Sequence, residues 1–503
     1  MNTLSASSGR APGAFRTRLT LFLCDEANFR FVYIAVMFFS SLCLVRDLFY
    51  IAAGLSLVWG LFLFIRSYII RGRFAYIRHR RVICLFMGFA LFSCILHIQD
   101  NFIVNLYVLI FESVCFFFFF GLHAGRGRNA CRREVWLILE FIIAATTVVM
   151  IGGFAMLAVY PRGTTVMGDP IAIYENRFVG IIFNANVTGF YAAAALIAIN
   201  INFAARIARR SFTRRRKLYY AFCALIDLIA LFLSDSNDSL LMIMVYVCFV
   251  IMHALFKGYK PGVLSTLARL VALALSVVLV CYCALGARTM VQTSVSDMLG
   301  KASPESKIST GVATEGAAVR IRPDMEKRTK STTFEHENTN LDSGRFGIWR
   351  QSAAMFKENP LFGIGKGNIV EYGRRYTGGL KYDDFHNGFL TILISCGFVG
   401  LSLFMVLTVS VAKMLMKAIF LHRNDNRRDG RVLLYLTAFC SAYCVYSFFE
   451  VALLADISYR VVFFWLLLGL AVSYAASYER RSLVTGENLS RSSRSVYSFS
   501  MWS

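Results

Sequence analysis

Apolar runs near the roughly 20 residues that a helix needs to cross about 30 Å of hydrocarbon recur along this chain from Phe31 to Ala476, and no other feature restricts its fold so severely. The runs do not alternate apolar and polar residues as barrel strands must, so they predict helices. Candidate spans fall at about 31–45, 48–65, 82–98, 102–122, 135–160, 186–204, 218–233, 239–256, 268–286, 388–411, 432–449 and 459–476. With 57% hydrophobic residues among 503 and a mean hydropathy of +0.58, an ordinary soluble protein is excluded. The expected class is an all-α, polytopic integral membrane protein of about twelve transmembrane helices, with one large extracytoplasmic loop carrying short helices.

The net charge of +23 would suit a nucleic-acid binder, but its placement says otherwise. Basic clusters occupy every second connection: Arg66 to Arg81, Arg126 to Arg133, Arg206 to Lys217, Lys257 and Lys260, and Lys417 to Arg431. Read as cytoplasmic, they put both termini inside and leave the alternate connections outside. The charge is then a topology signal and a contact for anionic headgroups. No cleavable signal peptide is expected, because a second span follows the first at once. The thirteen cysteines lie in or beside spans without Cys-x-x-Cys spacing, which fits small packing residues.

The expected organisation is residues 1–286 for nine transmembrane helices, 287–387 for an extracytoplasmic loop, 388–476 for three more helices and 477–503 for a cytoplasmic tail. Within the loop, 297–340 is polar and expected to be flexible, whereas 343–387 is expected to be ordered. There Phe346, Trp349, Ala353 and Phe356, spaced by three and four, predict one face of an amphipathic helix that Asn359 and Pro360 end. Gly363, Gly365 and Gly367 follow as a bare turn. It is either a plain turn or a phosphate cradle, though neither the P-loop nor the dinucleotide context is present.

Of seven histidines only His386 combines an outer position, the edge of a span and acidic neighbours, in "DDFHNGF". From these residues alone three readings stay open: an interfacial residue beside a helix N-terminus favoured by Asp383 and Asp384, a metal ligand with Asp384, or a general base poised by a carboxylate. On the same side stand Arg177, Arg345, Arg350, Lys366, Arg374 and Arg375. Guanidiniums at a bilayer edge either snorkel to headgroups or hold anions, and their planar forks match phosphate oxygens. "SDSND", Ser234 to Asp238, reads as a tight polar turn.

Together the spans, the late outer loop and the block "SGRFGIWRQSAAMFKENPLFGIGKGN...DDFHNGFLTILISCGFVGLSLFMVL" resemble the O-antigen ligase and O-antigen polymerase-like superfamily of bacterial membrane glycosyltransferases. "NRFVGIIFNANVTGFYAAAAL" resembles a second segment of that family. The resemblance covers about residues 170 to 410. It implies transfer of a glycan from an undecaprenyl-pyrophosphate donor to an acceptor glycan or glycolipid hydroxyl, in cell-surface polysaccharide synthesis. The setting would be the outer face of the bacterial cytoplasmic membrane, with no cofactor, metal or nucleic acid. His386 matches the family's histidine, and Arg345 and Arg177 match its pyrophosphate-holding arginines, with Arg350 as a third candidate. Asp384 and Asn387 are expected to support the histidine. One departure is Asn237, which stands where the family often has an arginine. The competing reading is a secondary transporter or lipid-linked glycan flippase, for which Glu112, Glu140 and Asp227 would be the intramembrane charges.

Overall fold

The computed structural model describes residues 19–207, 213–256, 262–302, 345–377, 384–421 and 428–477. The expected flexible segment from 303 onward, the tail beyond Ser477, His336, Asp383 and His422 lie outside the described residues.

In chain order the helices are α1 (Glu26–Phe39), α2 (Arg46–Phe64, extended by a wider turn over Ile65–Ile70), α3 (Arg80–Leu96), α4 (Phe102–Val114, carried on to His123), α5 (Arg128–Val159), α6 (Ala185–Ile207), α7 (Arg214–Leu233), α8 (Asn237–Phe256) and α9 (Val263–Ala302). They continue as α10 (Arg345–Glu358), α11 (Ile369–Thr377), α12 (Gly388–Leu421), α13 (Arg428–Tyr446) and α14 (Tyr459–Ser477). This is the all-α polytopic membrane architecture that the apolar runs imply. Each expected span overlaps one of these helices. Among the described residues, eight helices are long and apolar enough to cross a membrane. The remaining four fall short for two reasons: α1 and α3 have only 14 and 17 residues, and α7 and α13 begin on charged residues.

Burial sorts these helices into axis and periphery. The most apolar stretch of α14 is 89% buried and that of α6 is 83% buried, whereas α9 buries none of its own: one face packs half-buried through Ala284, Ala287 and Val291, and Leu264, Leu275 and Val278 among others are exposed. Such exposed apolar side chains on a membrane-spanning helix have lipid as their solvent. At the axis Tyr443 of α13 stacks on Phe464 of α14, and Trp465 donates its indole N–H to the Leu453 carbonyl at 2.8 Å. Ala192 to Ala195 are all fully buried, because small residues let membrane helices approach closely. No cysteine is paired, and six of the thirteen are buried as packing residues.

Three features depart from expectation. First, the connection between α5 and α6 folds into an antiparallel sheet, β1 (Thr164–Val166), β2 (Asp169–Tyr174) and β3 (Arg177–Gly180), in that order. Two-residue turns with positive φ at both positions, Met167-Gly168 and Glu175-Asn176, join the strands. Such turns match the twist of a hairpin. Second, α9 does not end near 286 but runs on to Ala302, so residues 297–302 are helical. Third, α10 forms where expected but is partly rotated. Its buried stripe is Ile348, Ser352 and Met355; Trp349 and Phe356 of the expected face pack half-buried beside it, while Phe346 and Ala353 are exposed. The reason is its partner: Ile348 and Met355 face Ile364 of the turn, Ile369 of α11, Phe385 before α12 and Ile394 within it, a surface that the spacing of the aromatics could not reveal.

The glycine turn is a plain turn with a structural task. Inside α12, Gly397 leaves the helical conformation at φ 66° and breaks the hydrogen-bond ladder. Residues 360–365 fill the break. Ile364 N–H donates to Ile394 O at 2.9 Å and Gly365 N–H to Ser395 O at 3.0 Å, while Phe398 N–H donates to Pro360 O at 2.8 Å. Gly363 N–H is bound to Asn359 O and Gly367 N–H to the Asn105 side chain. The N–H groups that would have cradled a phosphate are thus spent on protein oxygens.

Candidate functional site

His386 occupies the corner between the loop and α12. Its φ is +47°, a left-handed conformation that costs a side-chain-bearing residue on the order of 1–3 kcal/mol and has to be held from outside. Three clamps hold it. Asp384 Oδ1 accepts the His386 N–H at 2.8 Å, Trp349 of α10 donates its indole N–H to Phe385 O at 3.0 Å, and Gly388 N–H donates to Ser447 O at 2.7 Å. Asn387 caps α12 by accepting the Leu390 N–H at 3.0 Å. Asp384 and Asn387 therefore shape the corner in addition to their polarity.

The imidazole faces two carboxylates. Nδ1 lies 3.5 Å from Asp384 and 3.9 Å from Glu450. Burial opposes the charged ring, but the facing Glu450 carboxylate and the Asp384 charge outweigh it, so the pKa is raised above the ordinary imidazole value. Glu450 sits in the connection from α13 to α14, nearly fully buried. It accepts from Asn186 Nδ2 at 2.7 Å and pairs with Arg460 at 2.9 Å. Burial alone would raise its pKa; His386 and the Arg460 charge instead hold it well below the usual carboxylate range.

The arginines come in from other directions. Arg177 opens β3, directly after the Glu175-Asn176 turn, and the sheet aims it at the α7–α8 turn. There Nε donates to Ser234 O at 3.0 Å, and Nη2 donates to Asn186 Oδ1. Burial pulls its pKa down, opposed by the charges of Asp235, Asp238, Glu175 and Glu450. Arg345, the first residue of α10, binds Asp238 Oδ2 through Nη2 at 2.6 Å and lies over the Phe449 ring. Arg288 of α9 reaches the same turn, 3.1 Å from Asp235 and 2.7 Å from Asn237 Oδ1.

The structure thus brings together His386, Asp384, Asn387, Arg345 and Arg177, and leaves Arg350 apart. Arg350 is exposed and, among the described residues, pairs with none of the cluster's carboxylates, because five helical residues carry it well around α10 from Arg345. Sequence reasoning missed Glu450, Arg460, Asp238 and Arg288. The available signal was "FFEVALLADISYR", where charges interrupt a short connection between two apolar runs. The "SDSND" turn is also more than a polar turn. Ser234, Ser236, Asp238 and Ser239 are buried, and three arginines converge on it.

Glu112 and Glu140, the relay candidates of a transporter, are held separately: Glu112 accepts the Ala455 N–H at 3.2 Å and Glu140 accepts the Tyr220 hydroxyl. Among the described residues no group of three or more His, Cys, Asp and Glu side chains has the placement to hold a metal ion.

Residues 221–405 match the family model described as O-antigen ligase. Over this span the chain is similar to O-antigen ligases. No curated protein matches it. The matched span runs from α7 through the Gly397 break and contains Asp238, Arg345, Asp384, His386 and Asn387. Arg177 and Glu450 lie outside it and reach the O-antigen ligase-like residues only through the fold. The match supports glycosyl transfer of the O-antigen ligase type, in a membrane setting and with lipid-linked glycan as substrate.

The Glu450–Arg460 pair gives a first expected result. Glu450→Gln removes a carboxylate from a buried guanidinium, leaving Arg460 the Asp456 carboxylate at 3.1 Å and the Tyr446 hydroxyl at 3.2 Å. Breaking a buried pair costs about 3–5 kcal/mol, of which Asp456 offsets a part. The detergent-solubilised variant is expected to melt several degrees below wild type; an unchanged melting temperature contradicts the assigned role.

Proposed function

We propose that this chain transfers a glycan from an undecaprenyl-pyrophosphate-linked donor to an acceptor sugar hydroxyl at the outward membrane face, without a metal ion. The observation that carries this reading is the convergence of a carboxylate-flanked imidazole with two arginines around one turn. His386 takes the proton of the acceptor hydroxyl as its oxygen attacks the anomeric carbon. The bond from that carbon to the pyrophosphate oxygen breaks, and undecaprenyl pyrophosphate leaves. Arg345 and Arg177 meet the charge that develops on the leaving group.

Both guanidiniums are suited to the task, because their protein partners orient them without using every donor. Arg345 contacts Asp238 through Nη2, leaving Nε and Nη1 without recorded protein acceptors among the described residues. Arg177 uses Nε and Nη2, leaving Nη1. We assign the binding to these two and not to Arg350. An apolar crevice lined by Phe389, Leu453, Phe404 and Leu407 begins three residues from His386 and offers a path for an isoprenoid tail.

The test is transfer from purified undecaprenyl-pyrophosphate-linked glycan by the reconstituted protein. Arg345→Ala and Arg177→Ala are each expected to lower the rate by about 10²–10³-fold, as loss of a donor to developing charge does. EDTA is expected to leave wild type unchanged. Wild-type rates in both variants, or donor movement across liposomes without product, would sink the proposal.

A further inference from the structure

The end of the bundle opposite His386 carries its own arginine cluster. Helix α1 links the two ends: just past its C-terminus Cys43 N–H donates to Ile181 O beside the sheet, and its N-terminus lies about 21 Å away at a cavity of about 380 Å³. Arg66, Arg71, Arg73 and Arg126 line that cavity, against only Asp25 and Glu26.

The two carboxylates are already committed. Glu26 pairs with Arg73 at 2.7 Å and with the buried Arg30 at 3.5 Å. Asp25 caps α1 by accepting the Ala27 N–H at 2.8 Å. Arg126 is held by Glu134 at 2.6 Å. Arg66 and Arg71 remain. Among the described residues the partly buried Arg66 donates only to the Cys24 carbonyl, at 3.0 Å, and the exposed Arg71 side chain has no ion pair or hydrogen bond. Residues 1–18 hold three arginines and no carboxylate.

We infer that this cavity binds a phosphate-bearing anion. Guanidiniums crowded at a membrane edge repel one another unless an anion joins them, and their forks fit phosphate oxygens two at a time. Basic pockets between membrane helices take phospholipid headgroups in this way, and a free phosphate group offers the same oxygens. The site is separate from the His386 cluster and shares no residue with it.

The experiment uses the full-length protein. Retained lipid is counted by native mass spectrometry after exchange into phosphatidylglycerol or phosphatidylcholine, and inorganic phosphate binding is followed by calorimetry. Wild type is compared with Arg66→Gln/Arg71→Gln and with Arg215→Gln/Arg216→Gln, which removes equal charge from exposed residues starting α7. At least fivefold less retained phosphatidylglycerol in the first variant only identifies a headgroup site. Loss of phosphate binding in that variant, with lipid retention equal, identifies a free-anion site. Equal behaviour of the two variants with both probes overturns the inference. Arg71→Gln alone, which breaks no recorded side-chain contact, is expected to show at least a twofold loss and serves if the double variant is unstable.

Discussion

Replacing His386 by alanine is expected to lower glycan transfer by about 10³-fold, within the range that a positioned general base contributes. The protein should remain folded, because the corner is fixed through the backbone by Asp384, Trp349 and Ser447, and the imidazole itself is only partly buried. The pH dependence gives a second readout. A general base acts as neutral imidazole, and the facing carboxylates raise its pKa above 6.5. The wild-type rate is therefore low where the ring is protonated and rises as pH passes through that raised value. Glu450→Gln removes one of the two facing charges and should move this limb to lower pH. A wild-type rate in His386→Ala, or an acid limb indifferent to Glu450→Gln, removes the base from the mechanism.

Gly397→Ala is expected to be severely destabilising. A Cβ there would lie 2.2 Å from Leu361 O and 2.5 Å from Phe362 N, both backbone atoms, and φ is +66°. Neither side can yield without losing the hydrogen bonds that stitch residues 360–365 into the break of α12. Losses above about 4 kcal/mol belong to such cases, and a total stability of about 5–15 kcal/mol leaves little margin. The expected result is loss of monodisperse protein after solubilisation. Gly363→Ala, whose Cβ would lie 2.5 Å from Gly397 N, should behave alike. Gly54→Ala on α2, with nothing within 4 Å of its Cβ, is the control. If Gly397→Ala melts as wild type does, the plug assigned to residues 360–365 is wrong.

The two predictions probe different layers of one design. The glycine plug and the Trp349 bond lock α10 onto α12, and that lock sets where Arg345 and His386 stand relative to the α7–α8 turn. Glu450 then ties this half to Arg177 and Asn186, residues that the sheet and α6 supply.

What the sequence by itself determined is whatever depends on local composition and period: the helical membrane class, the positions of the spans, the start and end of α10, and the place of His386 and its acidic neighbours at the edge of α12. Hydrophobic burial in lipid is set by the residues of each run alone, so those elements are readable without knowing their partners. Only the tertiary structure decided what depends on partners. The sheet was hidden because strands of three to six residues, one of them carrying Pro170, have no period to read. The rotation of α10 followed from the surface it meets, the glycine turn from a break more than thirty residues further along the chain, and the exclusion of Arg350 from the angle between side chains on one helix. Glu450 and Asp238 were unreadable for the same reason. A charge beside an apolar run says only that something must pair with it, and Arg460, Asn186 and Arg345 arrive as those partners from segments whose separation along the chain carries no record of their meeting.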